Sequence, residues 1–217
     1  MATTIYMTRH GETIENSKGL FQGQTPGHLS ELGIEQAHSL RPRIAELEFD
    51  VVLCSDLKRC LDTAEIALQG IECTFIKEPL LRERDLGNLA GTPIKGAVYN
   101  DTVETEESMK ERAHKFLDKV RREYPDKKIL AFSHGFFCRI MEAEIKGVTH
   151  RDVTLFGNCE IIEAKIKVEI PLPMPCSVIN SPNHIKITEP AVIATTDSTQ
   201  SPIVGTNSVA IFADITD

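Results

Sequence analysis

Residues 3–12 read Thr-Thr-Ile-Tyr-Met-Thr-Arg-His-Gly-Glu, a short β-type run that ends in charged residues and a glycine. Residues 128–135 read Lys-Ile-Leu-Ala-Phe-Ser-His-Gly, a second β-type run with a similar ending. In parallel sheets, reactive groups collect outside the carboxyl ends of the strands. These two stretches therefore predict two strands of one sheet, with His10 and His134 at the same edge.

Strand and helix patterns alternate along the rest of this region. The helices predicted from apolar residues at three- to four-residue spacing cover residues 34–47, 57–68, 109–124 and 136–146. The further strands, predicted from β-branched or alternating apolar residues, cover residues 50–54, 73–76 and 162–170. Ser30 is a predicted N-cap and Gly70 a predicted C-cap. This alternation predicts an α/β fold, a three-layer αβα sandwich with a mostly parallel central sheet.

The composition changes after Ile170. Residues 171–217 are punctuated by prolines, are rich in Thr, Ile and Val, and lack a helical period. We therefore predict a main domain over residues 1–170 and a Pro-rich, β-rich C-terminal extension over residues 171–217, whose role is unknown. Backbone groups of an ordered β-segment need hydrogen-bond partners. We expect residues 185–195 and 203–211 to pair with each other, or with a sheet edge of this or a second subunit, which leaves a homodimer open.

Composition and charge exclude several classes of protein. The 217 residues are 41% hydrophobic and 26% charged, which fits a globular domain. The net charge is −8 and there is no basic run, so we expect no nucleic-acid partner. No apolar stretch approaches the ~20 residues that span a bilayer, and residues 1–7 resemble a strand rather than a signal peptide. The six scattered cysteines favour free thiols, and hence a cytoplasmic protein, over three disulfides.

Charged and polar residues follow four of the predicted strands. In chain order they are Arg9-His10-Gly11-Glu12, Ser55 with Arg59, Arg82-Glu83-Arg84 and Ser133-His134-Gly135. In a parallel sheet these groups converge on one crevice. Guanidinium groups match phosphate oxygens in a bidentate way. A neutral imidazole is a competent nucleophile when its second nitrogen is held as a donor, and a carboxylic acid can protonate a leaving oxygen. The set suits phosphoryl transfer.

Several motifs together resemble those of the histidine phosphatase (phosphoglycerate mutase-like) superfamily, in its phosphatase branch. Residues 7–16 are similar to the signature of that superfamily. The other similar motifs follow in family order at residues 21–23, 29–37, 55–64, 81–91 and 132–135. The resemblance spans residues 3–166 and makes residues 1–170 a histidine phosphatase catalytic domain.

The resemblance implies a metal-independent phosphomonoester hydrolase that needs no cofactor and acts on a small phosphorylated metabolite. His10 would carry the phosphoryl group, and Glu83 would be the general acid and then the base that activates water. Arg9, Arg59 and His134 would hold the phosphate. The remaining substrate-binding residues implied by the motifs are Asn16, Gln22, Gly23 and Gly135.

Three alternatives stay open. The general acid could instead be one of three other carboxylates: Glu12, Glu78 or Asp85.

The chain could be a cofactor-dependent phosphoglycerate mutase, although Leu86 stands where the mutases carry a tyrosine and Lys95 lies one residue beyond the mutase lysine. Residues 92–105 form a short segment without the arginine pair of the mutases. The chain could also be a catalytically weak relative that binds a phosphorylated ligand or a protein. The sequence does not identify the natural substrate.

Overall fold

A computed structural model describes residues 2–167 of the protein. The strands are β1 (Ala2–Arg9), β2 (Val51–Cys54), β3 (Phe75–Lys77), β4 (Lys128–Ser133) and β5 (Ile161–Lys167). The helices are α1 (Ile14–Ser17), α2 (Glu31–Ala45), α3 (Lys58–Ala67), α4 (Glu106–Glu123) and α5 (Gly135–Lys146). Short 3₁₀ turns occupy Pro79–Leu81, Gly87–Leu89 and His150–Asp152.

The strands form one sheet in the order β3-β2-β4-β1-β5. The pairs β1–β4, β2–β4 and β2–β3 are parallel, whereas β5 runs antiparallel to β1. The mostly parallel sheet predicted from the sequence is therefore confirmed, with an antiparallel strand at one edge. An edge strand of opposite direction is common on otherwise parallel sheets.

Alternate side chains of the buried strands belong to two different hydrophobic clusters. In β2, Val51 and Leu53 belong to a cluster that includes α4 and α5, whereas Val52 and Cys54 belong to a cluster that includes α2 and α3. Helices thus cover both faces of the sheet, because successive side chains of a strand point to opposite faces. This confirms the three-layer αβα sandwich.

The helix and strand boundaries agree with the sequence pattern except in a few places. Ser30 is the N-cap of α2, and its hydroxyl accepts a hydrogen bond from the amide of Gly33 at 3.0 Å. The C-cap of α3 is Leu68 rather than the predicted Gly70, which adopts a φ of +80° two residues further on. The predicted strand at residues 73–76 lies instead at Phe75–Lys77. The short helix α1, which begins at a capping box on Thr13, was not predicted.

Within residues 2–167, the helices are too short or too polar to cross a bilayer. β5 confirms the predicted strand at residues 162–170 as far as Lys167. The remainder of that strand, the C-terminal extension over residues 171–217 and its predicted pairings lie outside the described residues, and these predictions stand as predictions.

Candidate active site

The two histidine motifs meet at the carboxyl ends of the adjacent parallel strands β1 and β4. From β1 the chain crosses to β2 on one side, and from β4 it crosses to β5 on the other, so the crevice between β1 and β4 is a topological switch point. Arg9 is paired with Ser133 in the β1–β4 register. His10 and His134 are the next residues along these strands, and their ring centroids lie 5.2 Å apart in an edge-to-face arrangement. The strand register itself thus brings the two imidazoles together.

Two hydrogen bonds fix the tautomer of His10. Its Nδ1 lies 2.7 Å from the carbonyl oxygen of Gly11. A carbonyl oxygen only accepts, so Nδ1 carries the proton and Nε2 carries a lone pair. The Nε of Arg59 donates a hydrogen bond to Nε2 at 3.1 Å, which requires the same tautomer. Nε2 is therefore the nucleophilic nitrogen of this ring.

His10 is also held in its neutral form. The side chain is buried, with 3% of the residue exposed. The pKa of His10 lies well below its ordinary value of 6.5, mainly because the ring is buried. The positive charges of Arg59 and Arg9 lower it further, and the hydrogen bond to the Gly11 carbonyl has a smaller, opposite effect. An imidazole with this pKa is unprotonated at neutral pH and keeps its lone pair.

Arg59 reaches Nε2 from the first turns of α3. Its guanidinium is buried and donates from Nη2 to the carbonyl of Gly23 at 2.7 Å and from Nη1 to the carbonyl of Thr25 at 3.0 Å. Gly23 has a φ of +56°, and a Cβ there would lie 3.0 Å from Leu86 Cβ, so glycine suits this position. Loop carbonyls thus hold the charge of Arg59 beside His10.

Arg9 supplies a second cation, which is half-buried. Its Nη1 donates to the carbonyl of Phe156 at 2.9 Å. Within residues 2–167, its Nε is the one buried side-chain nitrogen or oxygen without a hydrogen-bond partner. A buried donor left unsatisfied costs ~1–3 kcal/mol, and a phosphate oxygen in the cleft would satisfy it. A Cβ at Gly135 would lie 3.1 Å from this Nε, so the glycine gives Arg9 room at the start of α5.

His134 occupies a different position from the one its predicted role suggests. It is fully buried, is the N-cap of α5, and does not line the cleft. Its Nε2 lies 2.8 Å from Ser55 Oγ and 3.4 Å from Cys60 Sγ. Burial, followed by the nearby charges of Arg59 and other groups, holds the pKa of His134 well below its ordinary value. His134 therefore packs as a neutral ring beside His10, with its Nε2 in contact with Ser55.

Glu83, in the loop that follows β3, lines the same cleft as His10. One carboxylate oxygen accepts a hydrogen bond from the amide of Arg84 at 2.9 Å. The other accepts from the amide of Phe136, in the first turn of α5, at 3.2 Å. The amide of Gln24 donates to the Glu83 carbonyl at 3.1 Å. These contacts fix the orientation of the Glu83 side chain.

The other three carboxylates considered as general acids lie elsewhere. Glu78 is buried and bonded to Lys119 at 2.6 Å. Glu12 accepts from the hydroxyl of Ser30 at 2.7 Å, and Asp85 is exposed. Among these four carboxylates, only Glu83 belongs to the lining of the cleft formed by residues 2–167.

The predicted polar ligands Asn16, Gln22 and Gly23 line the same cleft. Asn16 Nδ2 donates to Gln22 Oε1 at 3.3 Å, and Gln22 Nε2 donates to Glu15 at 2.9 Å. A Cβ at Gly27 would lie 2.0 Å from Gln22 Nε2, so the loop passes directly over this amide. The hydrogen bonds of Gln22 are directed within the protein, and its contribution is to hold Asn16 at the rim of the cleft.

The sequence profile of the histidine phosphatase superfamily (branch 1) matches residues 5–169. The chain belongs to this superfamily. The "Uncharacterized phosphatase PhoE" of Bacillus subtilis is 32% identical over 151 residues, which cover 67% of this chain and 78% of that protein. The "Probable phosphoglycerate mutase GpmB" of Yersinia pestis is 33% identical over 176 residues, which cover 72% and 82%. The alpha-ribazole phosphatase from Shigella flexneri, at 23% identity, has the same fold, with a TM-score of 0.68 over 74% of this chain and 89% of that one.

In this member of the superfamily, a segment that the sequence did not point to supports the backbone of Arg9 and His10. Asn158 donates from its side chain to the carbonyl of His10 at 2.9 Å. The amide of Cys159 donates to the carbonyl of Arg9 at 3.0 Å, and Phe156 accepts from the Arg9 guanidinium. These bonds use backbone groups or a single loop asparagine, so no sequence pattern marks them.

Arg112 of α4 is a second overlooked residue, and it positions the loop of Glu83. It donates to the carbonyls of Arg82 at 2.5 Å and Glu83 at 3.3 Å, and forms an ion pair with Glu104 at 2.8 Å. Its guanidinium lies 4.2 Å from the centroid of the Phe137 ring. A signal was present, because Arg112 falls within the apolar spacing of α4, where a charged residue needs a buried partner.

No group of three His, Cys, Asp or Glu side chains within residues 2–167 lies close enough together to hold a metal ion. The independence of the reaction from metal remains a prediction. The cleft has a volume of about 280 Å³ and contains the predicted residues Arg9, His10, Arg59, Glu83 and Gly135.

Proposed function

We propose that this histidine phosphatase hydrolyses phosphate monoesters of small metabolites through a phosphohistidine on Nε2 of His10. The observation that carries the proposal is the 2.7 Å contact between His10 Nδ1 and the Gly11 carbonyl, which leaves Nε2 unprotonated at the cleft. A ring with a fixed tautomer and a low pKa is a nucleophile that needs no separate base.

In the first step, the Nε2 lone pair attacks phosphorus and the ester oxygen leaves with its electron pair. The hydrogen bond from Arg59 to Nε2 has to be given up, and the Arg59 N–H then donates to a phosphoryl oxygen. Arg9 donates from its unpartnered Nε to a second oxygen. Both guanidinium groups are held by backbone carbonyls, so they are oriented before the substrate binds.

Glu83 serves both half-reactions. Its carboxyl group gives a proton to the departing alcohol oxygen, which leaves as the neutral alcohol. The resulting carboxylate takes a proton from water, whose oxygen attacks the phosphohistidine and releases inorganic phosphate and neutral His10. His134 would donate to a phosphoryl oxygen after its ring leaves Ser55, which makes it the least direct of the proposed phosphate ligands. Arg9 and Arg59 supply the positive charge, so no metal takes part in the proposed reaction.

The proposal is tested by hydrolysis of p-nitrophenyl phosphate in the presence of a chelator. We expect turnover by the wild-type protein and, after a rapid quench, base-stable and acid-labile ³²P label on the protein from a labelled substrate. His10→Ala should lose both the label and at least ~99% of the rate, since the covalent route is removed. His38→Ala, at an exposed position of α2, is the matched control and should behave as wild type. Retention of more than about a hundredth of the rate by His10→Ala would contradict the mechanism.

A further inference from the structure

The cleft has both polar and apolar lining. Arg9, His10 and Arg59 receive the phosphate in the proposed function, and Asn16, Gln22 and Glu83 also line the cleft. The apolar wall of the same cleft comes largely from Phe21, Leu86, Ile94, Tyr99, Phe136 and Leu155. The alcohol of an ester whose phosphate is held at His10 therefore shares the cleft with a largely apolar wall.

Backbone hydrogen bonds build this wall. The amide and carbonyl of Phe21 bond to Thr92 at 2.9 Å and to Gly91 at 2.7 Å, and the amide of Ile94 donates to Gly19 at 2.9 Å. The segment after α1 and the segment after the Gly87–Leu89 turn are thus joined directly. Main-chain hydrogen bonds therefore hold Phe21 and Ile94 in place relative to each other.

The aromatic rings of the wall are ordered around one guanidinium. The Tyr99 ring packs edge-to-face on Phe21, with centroids 5.9 Å apart. The Arg84 guanidinium lies 5.0 Å from the Tyr99 centroid and 5.7 Å from the Phe136 centroid, and its Nε donates to the Glu104 carbonyl at 2.7 Å. Among the described residues of the lining, Arg84 is the one cation besides Arg9 and Arg59. Its charge faces aromatic rings, and an aromatic ring of a ligand can extend the same stack.

Much of this apolar surface is open to water. Tyr99 is 54% exposed, Leu155 is 52% exposed and Ile94 is 49% exposed, although all three line the cleft. Covering such surface with an apolar ligand is favourable roughly in proportion to the area removed from water. A highly charged alcohol would instead lose hydration against this wall and find only Arg84 as a partner.

We infer that the preferred substrates are phosphate monoesters whose alcohol carries one aromatic or similarly bulky apolar group, which packs against Tyr99 and Leu155. The cleft volume of about 280 Å³ lies at the small end of ligand pockets, which span ~300–1,000 Å³. A single ring on a short linker fits a cleft of this size. The inference rests on the proposed function and specifies the alcohol half of the substrate.

The test compares 2-phenylethyl phosphate with ethyl phosphate. Both release primary alcohols, so the substrates differ in the ring far more than in the chemistry of the leaving group. We expect kcat/KM to be at least about tenfold higher for 2-phenylethyl phosphate, within the ~10–200-fold that apolar pockets achieve. Tyr99→Ala and Leu155→Ala should each reduce this ratio severalfold, because the lost contacts are made mainly with the phenyl ring. Phe75→Ala, on the exposed edge strand β3 and outside the cleft, is the control and should keep the ratio.

The outcomes separate the inference from the function on which it rests. Equal kcat/KM for the two esters, or faster hydrolysis of glycerol 3-phosphate than of 2-phenylethyl phosphate, would overturn the inference. In that case, detection of the phosphohistidine label on His10 would still support the proposed function. Failure to hydrolyse either ester or p-nitrophenyl phosphate, with no label on His10, would remove the proposed function and the inference together.

Discussion

Arg59 Nε donates a hydrogen bond to His10 Nε2 at 3.1 Å, so the nucleophilic nitrogen is already bonded to a cation in the free protein. This bond can exist only while Nε2 is unprotonated, because a protonated nitrogen has no lone pair to accept it. The same guanidinium therefore favours the neutral imidazole, and in the proposed reaction it also contacts the phosphoryl oxygens. Under that proposal, phosphate binding and activation of His10 depend on one side chain.

The first prediction concerns the charge of His10. Its pKa is lowered in the folded protein by burial and by Arg59 and Arg9, so the ring should remain neutral as the pH falls through its ordinary pKa of 6.5. Long-range ¹⁵N–¹H NMR of the folded protein should show the Nδ1–H tautomer at pH 5.5. Arg59→Gln should move the midpoint of His10 upward, and protonation of His10 near pH 6.5 in the wild-type protein would contradict the assignment.

A second prediction concerns Glu83. Glu83→Gln keeps the size of the side chain but removes its proton chemistry, and general acid catalysis typically contributes ~10²–10⁴-fold. Ethyl phosphate, whose alcohol needs a proton to leave, should lose about that much in its first step. p-Nitrophenol needs little proton assistance, so this variant should release one burst of nitrophenolate per protein and then turn over slowly, because water is no longer activated. Stopped-flow absorbance measures the burst.

Asp85→Asn is the matched control for Glu83→Gln, since Asp85 is exposed, close in sequence and outside the cleft. It should show wild-type kinetics with both esters. Equal losses for ethyl and p-nitrophenyl phosphate in the first step of Glu83→Gln would assign the acid role to another carboxylate.

Periodic apolar residues explain why most of the fold could be predicted from the sequence. The core of α4 lies at Met109, Ala113, Phe116 and Val120, at the spacing of a helix, and all four are fully buried. β3 was misplaced because it is a three-residue edge strand whose residues are exposed or half-buried, so burial imposes no pattern on it. The direction of β5 depends on how the chain returns after α5, and strand periodicity carries no information on direction.

The candidate site was predictable wherever a side chain belongs to a motif beside a strand end. His10, Arg59 and Glu83 are of this kind. The position of His134 was not, because its contact with Ser55 depends on ring orientation rather than on spacing. Asn158 also escaped prediction, since it acts on a backbone carbonyl from a loop of no regular pattern.

A third prediction concerns the glycine at the start of α2. A Cβ on Gly33 would lie 1.9 Å from the carbonyl oxygen of Glu12, which belongs to the loop after His10. Alanine normally stabilises a helix relative to glycine by ~0.8–1.0 kcal/mol, but here the clash with backbone should dominate. We expect Gly33→Ala to lower the free energy of unfolding by ~1–3 kcal/mol and to reduce kcat. Urea unfolding measures the first effect, with exposed Ser39→Ala of the same helix as a control within ~0.5 kcal/mol of wild type. A Gly33→Ala protein as stable as Ser39→Ala would show that α2 can move away from the loop.

The last prediction decides between hydrolysis and mutase chemistry, which a relative named as a phosphoglycerate mutase keeps in question. A mutase must hold a bisphosphorylated intermediate and exclude water while that intermediate turns round. Apart from Arg9 and Arg59, the described lining of the cleft contains one cationic side chain, Arg84. Its guanidinium packs against aromatic rings. The Arg121–Arg122 pair lies in the last turn of α4 and is bonded to neighbouring acids.

The cleft therefore lacks the second cationic cluster that a bisphosphate needs, within the part of the chain that the structure describes. We therefore expect phosphate release from monoesters to be at least about tenfold faster than interconversion of 2- and 3-phosphoglycerate. A tenfold difference in rate corresponds to a difference of ~1.4 kcal/mol in activation free energy. ³¹P NMR of one reaction mixture, primed with 2,3-bisphosphoglycerate, reports both rates, and His10→Ala measures the background. Interconversion faster than phosphate release would make the protein a mutase and leave its family unchanged, because both reactions proceed through the same phosphohistidine and differ in whether water or a second hydroxyl reaches it first.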